Sequence, residues 1–279
     1  MNTLSKNRPV PRHALITGAS QGLGRAFADE CAARGMDLFL VALPDSGLPQ
    51  VAQCIMSEWE VRVDWLEVDL TQEDAVDRLL SALDTNGFSV DLLVNNAGIG
   101  SIGSFAESPL QGHEATMQLN MLALARLTHR LIPELLRRES ACILNVSSLG
   151  AIFPMPNLPI YSATKSFVLT FTLALRDELR GLVRVGALCP NTIRNDRATE
   201  DYVDRLPLVC RRACLYPSAI ARAGIDDLLR GRAVIVPGLI NKMLKVIGPF
   251  VPRWLVAGTI RHLWGGFSEK AKDAVAARA

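Results

Sequence analysis

The sequence predicts an α/β fold, a parallel sheet of seven strands covered on both faces by helices. Three observations carry that expectation. Short, nearly unbroken apolar runs recur along the 279 residues. Polar segments of helical length separate most of them, and strands buried on both faces are those of a parallel sheet. A glycine-rich turn directly follows the first run, and such sheets bind ligands at the carboxyl ends of their strands.

In chain order, "HALIT" from His13 to Thr17 is a short buried strand, and Gly18 to Gly24 is the turn. Arg25 to Arg34 reads as a helix, and "DLFLVAL" from Asp37 as the second strand. "VRVDWLEVD" from Val61 is a third strand with partial alternation. "VDLLVNNAG" from Val90 and "ACILNVSS" from Ala141 are the fourth and fifth. "VRVGALC" from Val183 and "AVIVPG" from Ala233 complete the seven. Ligand sites are expected just after Thr17, Leu43, Val68, Val94, Val146 and Leu188. A helix from Pro159 to about Arg180 carries "IYSATKSF". The alternation stops after Gly238, which divides the chain into a main domain, 1–238, and a helical extension, 239–279, packed on the same domain.

Composition narrows the function. A net charge of +2, with acids and bases spread along the chain, lacks the clustered base of a nucleic-acid surface. "MNTLSKNRPVPRHALITG" has no apolar core of a signal peptide, and no run of about 18 apolar residues is present to span a bilayer. The six cysteines and four histidines follow no metal-ligand spacing, so no metal is expected and the cysteines read as reduced thiols of a cytoplasmic protein.

"TGASQGLG", Thr17 to Gly24, follows a strand and opens a helix. Small residues there let the backbone approach a pyrophosphate while helix amides face its charge. The end of the second strand should meet the adenosine ribose, where an acid selects NAD and an arginine admits NADP. Ala42 and Leu43 supply neither, and the preference stays open. Tyr161 and Lys165 stand one helical turn apart and share a face. A phenol with pKa about 10 is a poor base at neutral pH, and an adjacent cation favours its ionised form. Ser147 and Ser148 end the fifth strand, Asn95 to Gly98 follow the fourth, and Asn120 interrupts the apolar "MQLNMLALA".

Taken together, TGASQGLG, NNAG, Asn120 and a serine ahead of YSATK resemble the short-chain dehydrogenase/reductase superfamily, over about Arg12 to Pro190 and more weakly to Gly238. The resemblance implies a single Rossmann-type domain with a doubly wound, seven-stranded parallel sheet, NAD or NADP as cofactor, and a homodimer or homotetramer. It also implies roles. Tyr161 matches the catalytic acid/base, Lys165 the lysine that tunes it and binds the nicotinamide ribose, and Asn120 the asparagine that holds a relay water. Ser148 matches the serine that orients the carbonyl, with Ser147 the alternative. For the cofactor, the matching positions are Gly18, Ser20, Gln21, Gly22, Leu23 and Gly24 in the turn, and Ala42 and Leu43 at the ribose. Asp69 and Leu70 follow at the adenine, Asn96, Ala97 and Gly98 beside the adenosine, and Pro190, Asn191 and Ile193 near the carboxamide. Asn191 departs from the family's usual Pro-Gly.

The activity implied is hydride transfer between NAD(P) and a secondary alcohol or ketone. The apolar "LGAIFPMPNLP" before Tyr161 favours a lipophilic ketone such as a steroid. A 3-oxoacyl thioester is the alternative, and a non-catalytic dinucleotide-binding redox sensor the competing class. Beyond Gly238, Leu239, Ile240, Met243, Leu244, Val246 and Ile247 fill one arc of a helical wheel, opposite Asn241, Lys242 and Lys245. Such a helix packs on the domain or a second subunit, covers the substrate mouth as a lid, or makes peripheral contact with a membrane. A second helix is expected from Trp254 to Trp264.

Overall fold

The computed structural model describes residues 9–100, 103–153, 155–195, 197–251 and 258. Seven strands form one sheet: β1 (His13–Thr17), β2 (Asp37–Ala42), β3 (Val63–Glu67), β4 (Leu92–Asn95), β5 (Cys142–Val146), β6 (Arg184–Leu188) and β7 (Val234–Ile235). Their order is β3-β2-β1-β4-β5-β6-β7, and every pairing is parallel. The chain winds outward from β1 in one direction and from β4 in the other. A crevice therefore opens at the carboxyl ends of these two strands.

Ten α-helices are described: α1 (Gly22–Ala32), α2 (Leu48–Glu58), α3 (Ala75–Thr85), α4 (Leu110–Met117), α5 (Leu124–Leu135), α6 (Pro159–Glu178), α7 (Arg197–Asp204), α8 (Leu208–Ala213), α9 (Pro217–Leu229) and α10 (Leu239–Ile247). Alternate residues of each strand point to opposite faces, and two apolar layers result. One joins Ile16, Leu40 and Leu144 to Phe27 of α1, Ile55 of α2 and Ile225 of α9. The other joins Leu15, Phe39 and Ile143 to Leu79 of α3, Leu131 of α5 and Leu175 of α6.

Several boundaries differ from expectation. Helix α1 begins three residues early, at Gly22, whose φ of 55° makes the turn a bare backbone position. Strand β4 starts only at Leu92, because Asp91 is turned to the chain start, where its carboxylate accepts from the Arg12 amide at 3.0 Å. Strand β7 is two residues long, since only Ala187 and Leu188 of β6 pair with it. Gln118–Ala123 forms a π-helical stretch between α4 and α5, which no periodicity announced. The expected Trp254–Trp264 helix lies outside the described residues.

A polar chain crosses the second apolar layer. Asn95 and Asn145 are register partners on β4 and β5. Asn95 Nδ2 donates to Asn145 Oδ1 at 2.8 Å and to Thr128 Oγ1 of α5 at 3.0 Å. Asn145 Nδ2 donates to Thr172 Oγ1 of α6 at 3.0 Å. All four residues are buried, so the chain ties two strands to the helices beneath the crevice. Removing the middle link would strip one bond each from Asn95 and Thr172 in a dry layer, leaving Asn95 with Thr128 and Thr172 with the Val168 carbonyl. Asn145→Leu is expected to destabilise the protein by on the order of 2–4 kcal/mol, read as a lower urea midpoint at unchanged slope.

Candidate active site

The crevice is one cavity of about 870 Å³ running along the carboxyl edge of the sheet, the scale of a cofactor site. Every residue expected at the cofactor lines it, from Gly18 in the turn to Ile193 after β6, together with Ser148. Asn120 does not line it but lies directly behind, fully buried.

The glycine turn is packed tightly enough to exclude side chains. A Cβ at Gly18 would sit 2.9 Å from Ala97 Cα, and one at Gly24 would collide with the Gly18 carbonyl. Thr17 Oγ1 accepts from the amides of Asn96 and Ala97, both at 3.0 Å, and Asn96 Nδ2 donates to the carbonyls of Thr17 and Gly18 at 2.9 and 3.2 Å. The side chain of Asn96 thus braces the turn, which leaves the backbone of 96–98 to face the cavity. The amino end of α1 points its unpaired amides into the same space, a setting made for a pyrophosphate.

At the ribose corner, Ala42 and Leu43 are joined by Ser46, whose hydroxyl is buried with no protein partner. A buried orphan hydroxyl facing the cavity suits a sugar hydroxyl or phosphate oxygen. The Asp69 carboxylate accepts from the Thr71 amide at 2.9 Å and the Thr71 hydroxyl at 2.8 Å. Partial burial opposes its ionisation, but these bonds and one from Gln72 outweigh it and hold its pKa below the ordinary value. Among the described residues lining the cavity, Asp69 and Lys165 are the two that carry charge. These features fit a nicotinamide dinucleotide.

At the other end, Pro159 opens α6 at a position where its missing amide costs nothing, and the next two turns carry Tyr161 and Lys165. Lys165 Nζ donates to the Val146 carbonyl at 2.9 Å and lies 5.7 Å from the centroid of the Tyr161 ring. Burial lowers its pKa to about 8, opposed by the neighbouring Cys189. Burial raises the pKa of the Tyr161 phenol, while a hydrogen bond with Ser148 works the other way. The expected lowering of the phenol's pKa by the lysine is therefore not what this state presents, because desolvation is the larger effect.

The two serines separate cleanly. Ser147 Oγ donates to the Lys165 carbonyl at 2.7 Å and is buried, whereas Ser148 lines the cavity with Tyr161 and accepts from the Gly150 amide at 3.0 Å. The amide of Asn120 is fully engaged. It accepts from the Ile99 amide at 3.0 Å and donates to the Ile99 carbonyl at 2.9 Å and Thr164 Oγ1 at 3.0 Å. It pins the loop after β4 to α6 from within the π-helical stretch, a kind of distortion that recurs at functional sites. Its side chain has no donor left for a water.

The loop after β6 holds what sequence reasoning missed. Asn191 Oδ1 accepts from the Thr192 amide at 2.8 Å, and its Nδ2 donates to Asn241 Oδ1 of α10 at 3.0 Å. Asn195 and Thr199 also line the cavity, with Asn195 facing Gly22. No α10 residue lines the cavity, which counts against the lid among the three readings of that helix. Asn195 and Thr199 carried no motif, and Ser46 was hidden in a turn-forming "PDSG".

A parallel doubly wound sheet with a glycine turn, and a serine-tyrosine-lysine cluster across the crevice, defines a nicotinamide-dependent oxidoreductase. The family model for short chain dehydrogenase matches residues 12–205, and the chain belongs to that family. It is 32% identical to the human very-long-chain 3-oxoacyl-CoA reductase over 257 residues, covering 90% of this chain and 78% of that one. Among solved structures it resembles a short-chain dehydrogenase from Sphingobium yanoikuyae in complex with NADPH (TM-score 0.73, 30% identity, 85% and 92% of the two chains). It also resembles a 3-ketoacyl-(acyl-carrier-protein) reductase from Brucella melitensis complexed with NADH (TM-score 0.68, 29% identity, 81% and 96%). The protein is an NAD(P)-dependent oxidoreductase that acts on alcohol and keto groups.

Two outcomes are expected at this site. Lys165 has a folded-state pKa of about 8 against 10.5 for an ordinary lysine. Below pH 8 it is charged in both folded and unfolded chains, and the cost of burying it is complete. That cost fades as pH rises from 8 to 10.5, where the unfolded chain binds more protons. Lys165→Met should abolish activity yet stabilise the cofactor-free protein by on the order of 2 kcal/mol at neutral pH, with the gain shrinking across that window in denaturant titrations. At the ribose corner, Leu43→Arg should move the NADP/NAD ratio of kcat/KM upward by about tenfold, and Ala42→Asp should move it the opposite way. Unchanged ratios in both variants would place the determinant elsewhere.

Proposed function

We propose that the protein reduces the keto group of a 3-oxoacyl thioester with a long, apolar chain. The residues suggested a steroid-like ketone first and the thioester second, and the relatives reverse that order. The observation that carries the reading is the 32% identity, over nearly the whole chain, to a very-long-chain 3-oxoacyl-CoA reductase. Ala115, Leu119, Met155 and Leu158 give the cavity an apolar mouth beside Tyr161, which suits an acyl chain. Ser148, Tyr161 and Lys165 lining one cavity favour an enzyme over a non-catalytic redox sensor.

In this reading Ser148 Oγ donates to the keto oxygen and orients the carbonyl beside the phenol. Tyr161 is the acid. Its raised pKa keeps the phenol protonated at neutral pH, the form needed to give a proton to the oxygen as the carbon is reduced. The bound dinucleotide supplies the hydride. The phenolate left behind is held by the Lys165 ammonium, which is charged below about pH 8. Asn120 acts by holding the 98–100 loop against α6, so that Gly100 stays close to the Tyr161 ring.

The test is a comparison of 3-oxoacyl-CoA thioesters of increasing chain length with steroid ketones, using NADH and NADPH and following loss of reduced nicotinamide. The kcat/KM values should rise with acyl length and exceed those of every steroid. A steroid turned over faster than all thioesters would refute the substrate class. Tyr161→Phe should lose about 100-fold or more in kcat while its dinucleotide Kd, measured by fluorescence titration, stays within about twofold.

A further inference from the structure

Helix α10 is mounted in reverse. Two of the three readings of its apolar arc had it face protein, yet Leu239 (76% exposed), Met243, Val246 (65%) and Ile247 point outward, and Phe250, just beyond, is 84% exposed. The inward side is polar. Asn241 is 1% exposed, and its Nδ2 donates to the carbonyls of Ala213 and Pro237 at 2.9 and 2.8 Å while its Oδ1 accepts from Asn191. Lys245 is half-buried on the same side, and its charge reaches Cys189. Three hydrogen bonds thus fix a helix whose apolar face looks away from the domain. A contiguous apolar surface held in that way calls for an occupant.

Charge identifies the occupant. Residues 239–279 contain seven Lys and Arg but only two Asp and Glu, a net +5, and the remaining 238 residues carry −3. Lys242 flanks the apolar arc and is exposed. A second copy docking through this face would set Lys242 and its like-charged surroundings against the same charges. An anionic surface meets no such repulsion. Nine residues are too few to cross a bilayer, and among the described residues no helix is long and apolar enough to do so. An amphipathic helix with basic flanks lies in the plane of the headgroups.

We propose that the outward face of α10 docks on the surface of a bilayer containing anionic lipid. Leu239, Met243, Val246, Ile247 and Phe250 enter the acyl boundary, and Lys242 meets the phosphates. The proposal stands apart from the substrate assignment, since none of these residues lines the cavity.

The experiment is cosedimentation of the full chain with phosphatidylcholine vesicles, with and without phosphatidylserine, at low and high salt. Binding should require phosphatidylserine and weaken with salt. Val246→Glu combined with Ile247→Glu should reduce the bound fraction about tenfold, with the melting temperature, dinucleotide Kd and mass in light scattering unchanged. Lys242→Glu, an exposed single change, should weaken binding severalfold in the same assay. Wild-type protein that stays in the supernatant with phosphatidylserine vesicles would overturn the proposal. So would a double variant that binds as wild type does. A double variant of reduced mass would assign the face to a second copy instead.

Discussion

A buried ammonium organises this molecule. Lys165 sits at the carboxyl end of β5, donating to the Val146 carbonyl, with its own carbonyl taken by Ser147. An isolated charge in such a place is destabilising, so its surroundings must be held rigidly. The carboxyl end of β5 is held by β4 and β6, the helix by the Asn145–Thr172 bond, and the opposite wall by Asn120. A Cβ at Gly98 would come within 3.1 Å of both Lys165 Nζ and Asn120 Oδ1. The side chains that look like motif residues are therefore of two kinds. Ser148, Tyr161 and Lys165 face the cavity, while Asn96, Asn120 and Ser147 keep the wall in place.

The same division explains the loop after β6. A glycine at position 191 would lack the side chain that joins that loop to α10. Asn191 instead joins the cofactor crevice to α10 through Asn241, and Asn241 also reaches the end of α8. Side-chain amides suit this junction because each both donates and accepts. The orientation of α10 and the course of the loop are thus set by one pair of residues, and the outward apolar face is a consequence of that pairing.

Much of this was legible in the sequence. Five strands were readable because a strand buried on both faces must be apolar throughout, β3 by its partial alternation, and β7 although pairing shortens it. The cavity wall was legible wherever a residue belonged to a motif with a mechanical reason, as in Gly18, Gly22 and Gly24. Legibility failed where one-dimensional pattern and three-dimensional setting disagree. The helical wheel sorted α10 correctly into apolar and polar sides, but left open which side meets the protein, because it cannot register that Asn241 has three partners. Periodicity through "MQLNMLALA" conceals a π-helical stretch, since one extra residue per turn hardly disturbs an apolar run. Ser46 was passed over as part of a turn, and only its lack of a partner in a wall of satisfied groups brings it forward.

The electrostatics of the phenol and the ammonium also bear on direction. Burial acts on Tyr161 and Lys165 in opposite senses, raising one pKa and lowering the other. Both shifts favour the neutral form, and the pair moves toward a proton-loaded phenol beside an ammonium that is charged only below about pH 8. On the proposed roles, that is the resting state for reducing a ketone, where the phenol gives a proton and the ammonium then receives a negative neighbour. Oxidising an alcohol would begin from the phenolate, the form burial opposes. The site as folded therefore leans toward reduction at neutral pH, and rising pH loosens that bias by two routes, ionising the phenol and discharging the lysine that would stabilise it. These routes conflict, because a phenolate without its ammonium is again a buried, unpaired charge. The phenol ionises only above its ordinary range and the ammonium is charged only below about pH 8, so no pH gives the site as folded both charges that oxidation needs.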